Sequence, residues 1–198
     1  MRQLAALVSA AFLSGCTLFG FGDDDSPAPD PALAERTVWI VGTEGRAIGQ
    51  ATFSSAPGGT LIRLEFSERS LPAGWHGAHL HHVGDCSDFA AGFQASRGHL
   101  GAGERVAHGH RQATGPEAGD LINIYAPASG VFGAEVFAPY VRLASRRVPG
   151  NANTREVLPL FDEDGTALVI HANPDDHASQ PVGGAGSRLA CAALRATP

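Results

Sequence analysis

Histidines are concentrated in the middle of this chain. Nine occur among the 198 residues, and seven of them lie between positions 76 and 110. His79 and His81 are separated by one residue in a short stretch that predicts a β-strand, where alternate side chains point to the same face. Two imidazoles on one strand face can bind a single copper or zinc ion. The pair therefore predicts a metal site, although such pairs also occur on exposed strand faces without a metal.

Short β-branched or alternating stretches, separated by glycine and proline, surround this pair. They predict strands over residues 37–41, 49–54, 60–66, 76–82, 121–125, 133–137 and 168–171. No segment between them has sustained helical periodicity, and 25 glycines and 13 prolines supply many turns. The sequence therefore predicts an all-β sandwich or barrel. Segments 83–119, 139–158 and 172–187 lack a strand pattern, and loops of that length usually carry function.

The amino-acid composition suits one globular domain and excludes one class of partner. Hydrophobic residues make up 43% of the chain and charged residues 17%, which is enough apolar surface for a core. The formal net charge is −6, with 14 arginines and no lysine. A protein that binds nucleic acid regardless of its sequence needs a basic surface, so we expect no nucleic-acid partner.

The first residues are typical of an export signal. A basic Arg2 precedes an apolar run over residues 4–13, and small residues follow. The run is too short to cross a bilayer, which takes ~20 residues. The sequence therefore predicts a signal peptide over residues 1–15. The stretch Leu13-Ser14-Gly15-Cys16 also resembles the bacterial lipoprotein box, whose cysteine becomes the acylated first residue of the mature chain.

Lipidated Cys16 predicts a membrane anchor on the periplasmic side of the bacterial cell envelope. Because Thr17 does not resemble an inner-membrane retention signal, the outer membrane is the expected location. An ordinary signal peptide with an incidental cysteine is the alternative. Residues 16–35 combine Asp23–Asp25 with several prolines and predict a solvated tether, followed by one folded domain over residues 36–198.

The remaining cysteines predict a disulfide. With Cys16 assigned to the lipid, Cys86 and Cys191 are the two that are left among three. In a chain exported to an oxidising compartment, such a pair is expected to form a bond.

The histidine pair lies within a longer motif that resembles a known family. Residues 71–81 read LPAGWHGAHLH, similar to the G-x-H-G-x-H-x-H strand of the copper/zinc superoxide dismutases. The resemblance covers about residues 37 to 195, and further motifs follow in the family's order: Gly98-His99, His108, Gly119-Asp120-Leu121, Leu168–His171, Asp175 and Gly184–Cys191. The resemblance implies a Greek-key β-sandwich, or flattened barrel, with long metal-binding and active-site loops.

The resemblance also implies an activity and the residues that perform it. The chain would convert superoxide to dioxygen and hydrogen peroxide, with one copper per chain cycling between Cu(II) and Cu(I). His99 would bridge to zinc and exchange a proton, Arg188 would orient superoxide, and Asp175 would accept hydrogen bonds from one copper and one zinc histidine. The implied copper ligands are His79, His81, His99 and His171, and the implied disulfide is Cys86–Cys191.

The zinc ligands depart from the family pattern. His99, His108 and Asp120 match it, but the third histidine, expected three residues before Asp120, is replaced by Glu117. A carboxylate oxygen can bind zinc, so Glu117 is one candidate for the fourth ligand and His110 is another. A copper-only protein is the third interpretation.

Two other functions compete with the enzyme. A non-catalytic copper-binding or copper-buffering envelope lipoprotein needs the copper histidines alone, and a structural lipoprotein needs only the sandwich. Arg188 and Asp175 favour the enzyme, because a copper store requires neither. The sequence predicts no particular oligomeric state.

Overall fold

The computed structural model describes residues 35–103, 105–147, 149 and 155–195. The predicted signal peptide and the predicted lipidation site, Cys16, lie outside these residues, as does the predicted tether except for Glu35, which belongs to the first strand. None of the helices in the described ranges has the length and apolarity that a membrane crossing requires.

The described residues are almost entirely β-structure. Two 3-10 turns, Phe89–Ala91 and Gln94–Ser96, lie in the first long loop. The strands are β1 Glu35–Gly42, β2 Ala47–Ala56, β3 Gly59–Phe66, β4 Gly74–His76, β5 Ala78–His81, β6 Ile124–Ala126, β7 Phe132–Ala138, β8 Val141–Arg142, β9 Leu158–Pro159, β10 Thr166–His171 and β11 Arg188–Leu194.

Seven of these strands form one curled antiparallel sheet in the order β5-β10-β11-β1-β2-β3-β7. β4 pairs with β6 in a separate two-stranded sheet, and only Gly77 separates β4 from β5. β4 therefore extends the curled sheet beyond β5. Its partner β6 lies toward β7, which is the strand at the opposite end of the curled sheet. The short β8 and β9 pair in parallel. This architecture confirms the predicted all-β sandwich, or flattened barrel.

Alternation along the strands places the core inside the curled sheet. In β3, Ile62 and Leu64 are buried, whereas Arg63 between them is exposed and pairs with Glu135 of β7 at 2.9 Å. Phe53 of β2 is fully buried on the same inner side as these residues. Burial of this apolar surface, worth about 25 cal/mol per Å², holds the strands that carry the functional loops.

Three strand predictions differ from the structure. The predicted strand at 76–82 is broken at Gly77 and ends at His81. The one predicted over 121–125 forms only at Ile124–Ala126, and the side chain of Asn123, just before it, binds the backbone of a loop. Segment 139–158 contains β8 and the first residue of β9, although it has no strand pattern.

The strand β11 was not predicted at all. Its sequence, RLACAAL, is rich in alanine and lacks the β-branched residues that mark a strand. It forms because β10 and β1 supply hydrogen-bonding partners on both of its edges.

The predicted disulfide between Cys86 and Cys191 is confirmed. The two Cα atoms lie 5.7 Å apart, and the bond joins the loop after β5 to buried β11 across 105 residues. In the chain-entropy model, closing a loop of about this length stabilises the fold by ~4–5 kcal/mol.

Candidate metal centre

Strand alternation places the first two histidines. His79 and His81 are buried on the same face of β5, with Leu80 between them pointing into the hydrophobic core. One edge of β5 pairs with β10, and the other forms isolated bridges from His79 to Asp120 and from His81 to His99. The long loop after β5 therefore returns to lie beside the strand.

Backbone hydrogen bonds bring two more histidines to this face. His99 is placed by the next residue, Leu100, whose amide donates to the Leu80 carbonyl at 2.8 Å. His171 is the last residue of β10, where a register shift follows Ile170. The amide of His171 donates to the Gly77 carbonyl at 2.9 Å, which fixes it beside the break between β4 and β5.

The four rings surround one point, and we call them the copper cluster. Each offers one nitrogen, and all four nitrogens lie within 4.8 Å of one another in a buried group consisting of His79, His81, His99 and His171.

The inward-facing nitrogens of the copper cluster have no hydrogen-bond partner among the described residues. These four buried atoms are His79 Nδ1, His81 Nε2, His99 Nε2 and His171 Nε2. A buried polar atom without a partner costs roughly 1–3 kcal/mol, so a fold that creates four of them at one point implies a ligand. Four imidazole lone pairs suit copper. The residues therefore fit a bound copper ion.

The outward-facing nitrogens of the same rings are all occupied. Their hydrogen bonds orient each ring and place its proton on the outer nitrogen, which leaves the inner lone pair free. The contacts are His79 Nε2 to Asp175 Oδ2 at 2.9 Å, His81 Nδ1 to the Arg97 carbonyl at 2.7 Å, His171 Nδ1 to the Gly186 carbonyl at 3.2 Å and His99 Nδ1 to Glu117 Oε2 at 2.9 Å.

Burial keeps three of these imidazoles neutral. It lowers the pKa of His79 to about 4, that of His171 to about 3 and that of His81 to about 2. The neighbouring imidazoles contribute to each of these lowered pKa values, after burial. Neutral imidazole is the form that binds a metal, so these rings can act as ligands at neutral pH.

A second set of side chains meets the other face of His99, and we call it the zinc cluster. It consists of His99, His108, Glu117 and Asp120. From His99 Nδ1, Glu117 Oε2 lies 2.9 Å away and Asp120 Oδ1 3.4 Å away. From His108 Nδ1, the same two oxygens lie at 3.6 and 2.8 Å. Two nitrogens and two carboxylate oxygens are a donor set that suits zinc.

His79 also has a ligand atom within 4.8 Å of those of His99, His108 and Asp120. Its free nitrogen, however, is one of the four that face each other in the copper cluster. Glu117 already contacts both imidazoles of the zinc cluster, so we assign the fourth position to Glu117. His110 lies elsewhere, with its ring 5.3 Å from that of His177.

Hydrogen bonds hold Asp120 in its charged form. Burial raises its pKa, but bonds from His108 and His99 overcome that effect and leave the pKa well below the ordinary value. Its second oxygen accepts the backbone amides of Gly109 at 2.7 Å and Glu117 at 2.8 Å. Asp120 therefore also shapes the loop that presents the other zinc-cluster residues.

Asp175 joins the two clusters. One of its carboxylate oxygens contacts His79 Nε2 at 2.9 Å, and the other contacts His108 Nε2 at 3.2 Å. Burial raises the pKa of Asp175, but the hydrogen bonds from His108 and His79 leave it well below the ordinary value. One charged side chain thus orients one ring from each cluster.

Arg188 lies beside the copper cluster, opposite His171 in the pairing of β10 with β11. Its guanidinium donates to the Phe93 carbonyl and the Arg97 carbonyl, each at 2.7 Å. The Arg97 carbonyl also accepts the bond from His81. Arg188 and a copper-cluster histidine are therefore held by the same atom.

Two positioning contacts at this site had no signal in the sequence. Asn123 forms a two-point clamp on the backbone of Asp175, with both hydrogen bonds at 2.8 Å. Gln180 clamps the backbone of His108 in the same way, at 3.0 and 2.8 Å. His76 has its ring nitrogens 2.7 Å from the His171 carbonyl and 2.8 Å from the Pro72 carbonyl, and so ties the loop before β4 to the end of β10.

The fold and the site together define a β-sandwich metalloprotein with two adjacent metal sites that share one imidazole. A sequence model of the copper/zinc superoxide dismutases (SODC) matches residues 47–194. The chain is 38% identical over 183 residues to a Cu-Zn superoxide dismutase of Caulobacter vibrioides, covering 92% of this chain and 98% of that protein. It is also 38% identical over 157 residues to Cu-Zn superoxide dismutase 2 of Aquifex aeolicus, covering 79% and 84%. The chain belongs to the copper/zinc superoxide dismutase family.

Solved structures agree with the fold. A superoxide dismutase-like protein from Bacillus subtilis matches with a TM-score of 0.64 at 31% identity, covering 80% of this chain and 97% of that one. The Cu/Zn superoxide dismutase from Brucella abortus matches with a TM-score of 0.58 at 24% identity, covering 81% and 99%, which supports the fold alone.

The lowered histidine pKa values predict acid sensitivity of the metal-free protein. His79, His81 and His171 would take up protons on unfolding below pH 6.5, their ordinary pKa, but not while folded. The free energy of unfolding should therefore fall as the pH drops from 6.5 to about 4, by up to about 1.4 kcal/mol per pH unit for each of the three. Urea denaturation of the metal-free, disulfide-intact protein across this range measures it. A stability that is constant or rises toward acid pH would contradict the burial of these rings.

At Gly183, the methyl group of an alanine is expected to disrupt both clusters. A Cβ there would lie 1.7 Å from Asp175 Oδ1 and 2.8 Å from His108 Nε2. Gly183→Ala should therefore displace the Asp175 carboxylate, reduce metal content and cost more than the ~1 kcal/mol of backbone strain alone. Gly184→Ala is the matched control, because its φ of +68° is similar to the +61° of Gly183 and no described atom lies within 4 Å. Equal losses of stability and metal content in the two variants would contradict this role.

Proposed function

We propose that this chain is a superoxide dismutase, which converts two superoxide anions and two protons to one dioxygen and one hydrogen peroxide. The observation that carries the proposal is the set of four unpaired, buried imidazole nitrogens that face one another beside a second metal cluster. A copper ion held there would supply the one-electron chemistry, in which one superoxide is oxidised and the next is reduced. Imidazole ligands suit both of its oxidation states.

Arg188 binds and orients the substrate in this proposal. Its guanidinium stays charged at any physiological pH and presents a planar array of donors to an anion. The carbonyl groups of Phe93 and Arg97 hold it in place next to the His81 ring. A superoxide that is bound there lies beside the copper cluster without displacing its histidines.

His99 handles a proton. Its Nε2 faces the copper cluster without a hydrogen-bond partner among the described residues, while its Nδ1 faces Glu117 and Asp120. Nε2 would therefore take up a proton in the half of the cycle in which its lone pair does not hold copper, and it would return that proton in the other half. His108, Glu117 and Asp120 would hold zinc against Nδ1 and keep the ring in place.

The competing function, copper binding without catalysis, has less support. A copper store has no need of an arginine held against the copper cluster, nor of a carboxylate that orients one histidine from each cluster. Both features are useful to an enzyme, because they prepare the site before an anionic substrate arrives.

Substitution of His171 tests the copper assignment. His171→Ala removes one of the four copper-cluster nitrogens, so we expect copper content and superoxide dismutation to be lost while the fold remains. His110→Ala is the control, because His110 contacts His177 and neither cluster contains it. Elemental analysis and a superoxide-decay assay measure both properties. Full activity of His171→Ala would refute the assignment, as would loss of copper in the control.

We also propose that the chain is exported and attached to the outer membrane, facing the periplasm, through acylated Cys16. The lipoprotein box in the sequence supports the anchor, and the Cys86–Cys191 disulfide suits an oxidising compartment. Cys16→Ser should move the protein from the membrane fraction to the soluble fraction of bacterial cells. Retention of this variant in the membrane fraction would contradict acylation at Cys16.

A further inference from the structure

Arg155 connects a distant segment of the chain to the loop that carries the zinc cluster. Its Nη2 donates to the carbonyls of Thr114 at 2.8 Å and Gly115 at 2.7 Å, and its Nη1 donates to the carbonyl of Pro116. These three residues immediately precede Glu117 in the sequence. One side chain thus holds the backbone that leads into the residue replacing the family's histidine.

Arg155 is itself anchored to the sheet. Its guanidinium lies over the ring of Tyr140, 5.1 Å from the centroid, in a cation–π contact. Three residues after Arg155, the amide of Leu158 donates to the Tyr140 carbonyl at 2.9 Å, and Leu158 pairs with Val141 where β8 meets β9. The arginine therefore projects from a fixed position.

Glu117 needs such support more than a histidine would. A glutamate side chain has one more rotatable bond than a histidine, and ordering it costs up to ~2 kcal/mol. Its carboxylate must contact His99 at 2.9 Å and remain close to His108. Its backbone amide is already fixed by a bond to Asp120 Oδ2 at 2.8 Å. Arg155 holds the other side of the same turn.

We propose that Arg155, supported by Tyr140, is a positioning residue that holds Glu117 in place as a ligand of the second metal. The proposal rests on the assignment of Glu117 to the zinc cluster. It gives segment 139–158 a role, because this segment supplies both residues of the clamp. The planar guanidinium is required, since its forked donors reach three consecutive carbonyls at once.

The affinity for zinc tests the proposal. In copper-loaded, disulfide-intact protein, Arg155→Ala should weaken zinc binding about ten-fold, the lower end of the range for residues that support a metal ligand. Competition with a chromogenic chelator measures the affinity, and the visible spectrum of Co²⁺ in the same site reports its coordination. Copper content should not change. An unchanged zinc affinity and Co²⁺ spectrum would overturn the proposal.

The chain offers a matched control in the same segment. Arg147 is an exposed arginine whose guanidinium pairs with Glu156 at 3.2 Å rather than with the carbonyls before Glu117. Arg147→Ala should therefore leave zinc affinity unchanged. Arg155→Lys should restore little of the affinity, because an ammonium cannot reproduce the planar fork. Full affinity in the lysine variant would show that charge alone suffices and would overturn the positioning role.

A double-mutant cycle separates this proposal from the one on which it rests. Glu117→Ala should weaken zinc binding more than Arg155→Ala does, and adding Arg155→Ala to it should have little further effect, because Arg155 acts through Glu117. If Glu117→Ala leaves zinc affinity unchanged, the ligand assignment itself is wrong. If the two losses are additive, Glu117 is a ligand but Arg155 does not position it.

Discussion

Four imidazole nitrogens face one another in this fold without hydrogen bonds. Each such buried atom destabilises the fold by roughly 1–3 kcal/mol. The rest of the site exists to maintain that arrangement. Carbonyl and carboxylate oxygens occupy the outer nitrogens, so the rings cannot turn to satisfy the inner ones. Burial keeps His79, His81 and His171 neutral as well. A metal ion is the ligand that removes the cost.

Asp175 extends this constraint from one cluster to the next. Its two oxygens orient His79 and His108, so displacement of one carboxylate would misalign both metal sites. The protein supports Asp175 through Asn123, and it excludes any side chain at Gly183, where the loop passes directly over the carboxylate. The loop after β10 and the loop after β5 therefore function as one unit.

Glu117 changes the zinc cluster in a way that requires compensation elsewhere. It brings a second carboxylate next to Asp120, and both carboxylates contact the imidazoles of His99 and His108. The same substitution exchanges a stiff ring for a flexible chain, which makes the backbone before it more important. In this structure that backbone is held from a segment about forty residues away, through Arg155.

The sequence by itself determined the strand-face pairing of His79 with His81, the all-β class, the disulfide and the order of the site motifs, because each depends on a local period, on composition or on short motifs. The tertiary structure decided that Glu117 rather than His110 lies beside His99, and that β11 is a strand despite its alanines. It also supplied Asn123, Gln180 and Arg155, which act across 52, 72 and 40 residues. Contacts of this kind depend on how loops close over a sheet, and no local spacing rule encodes that.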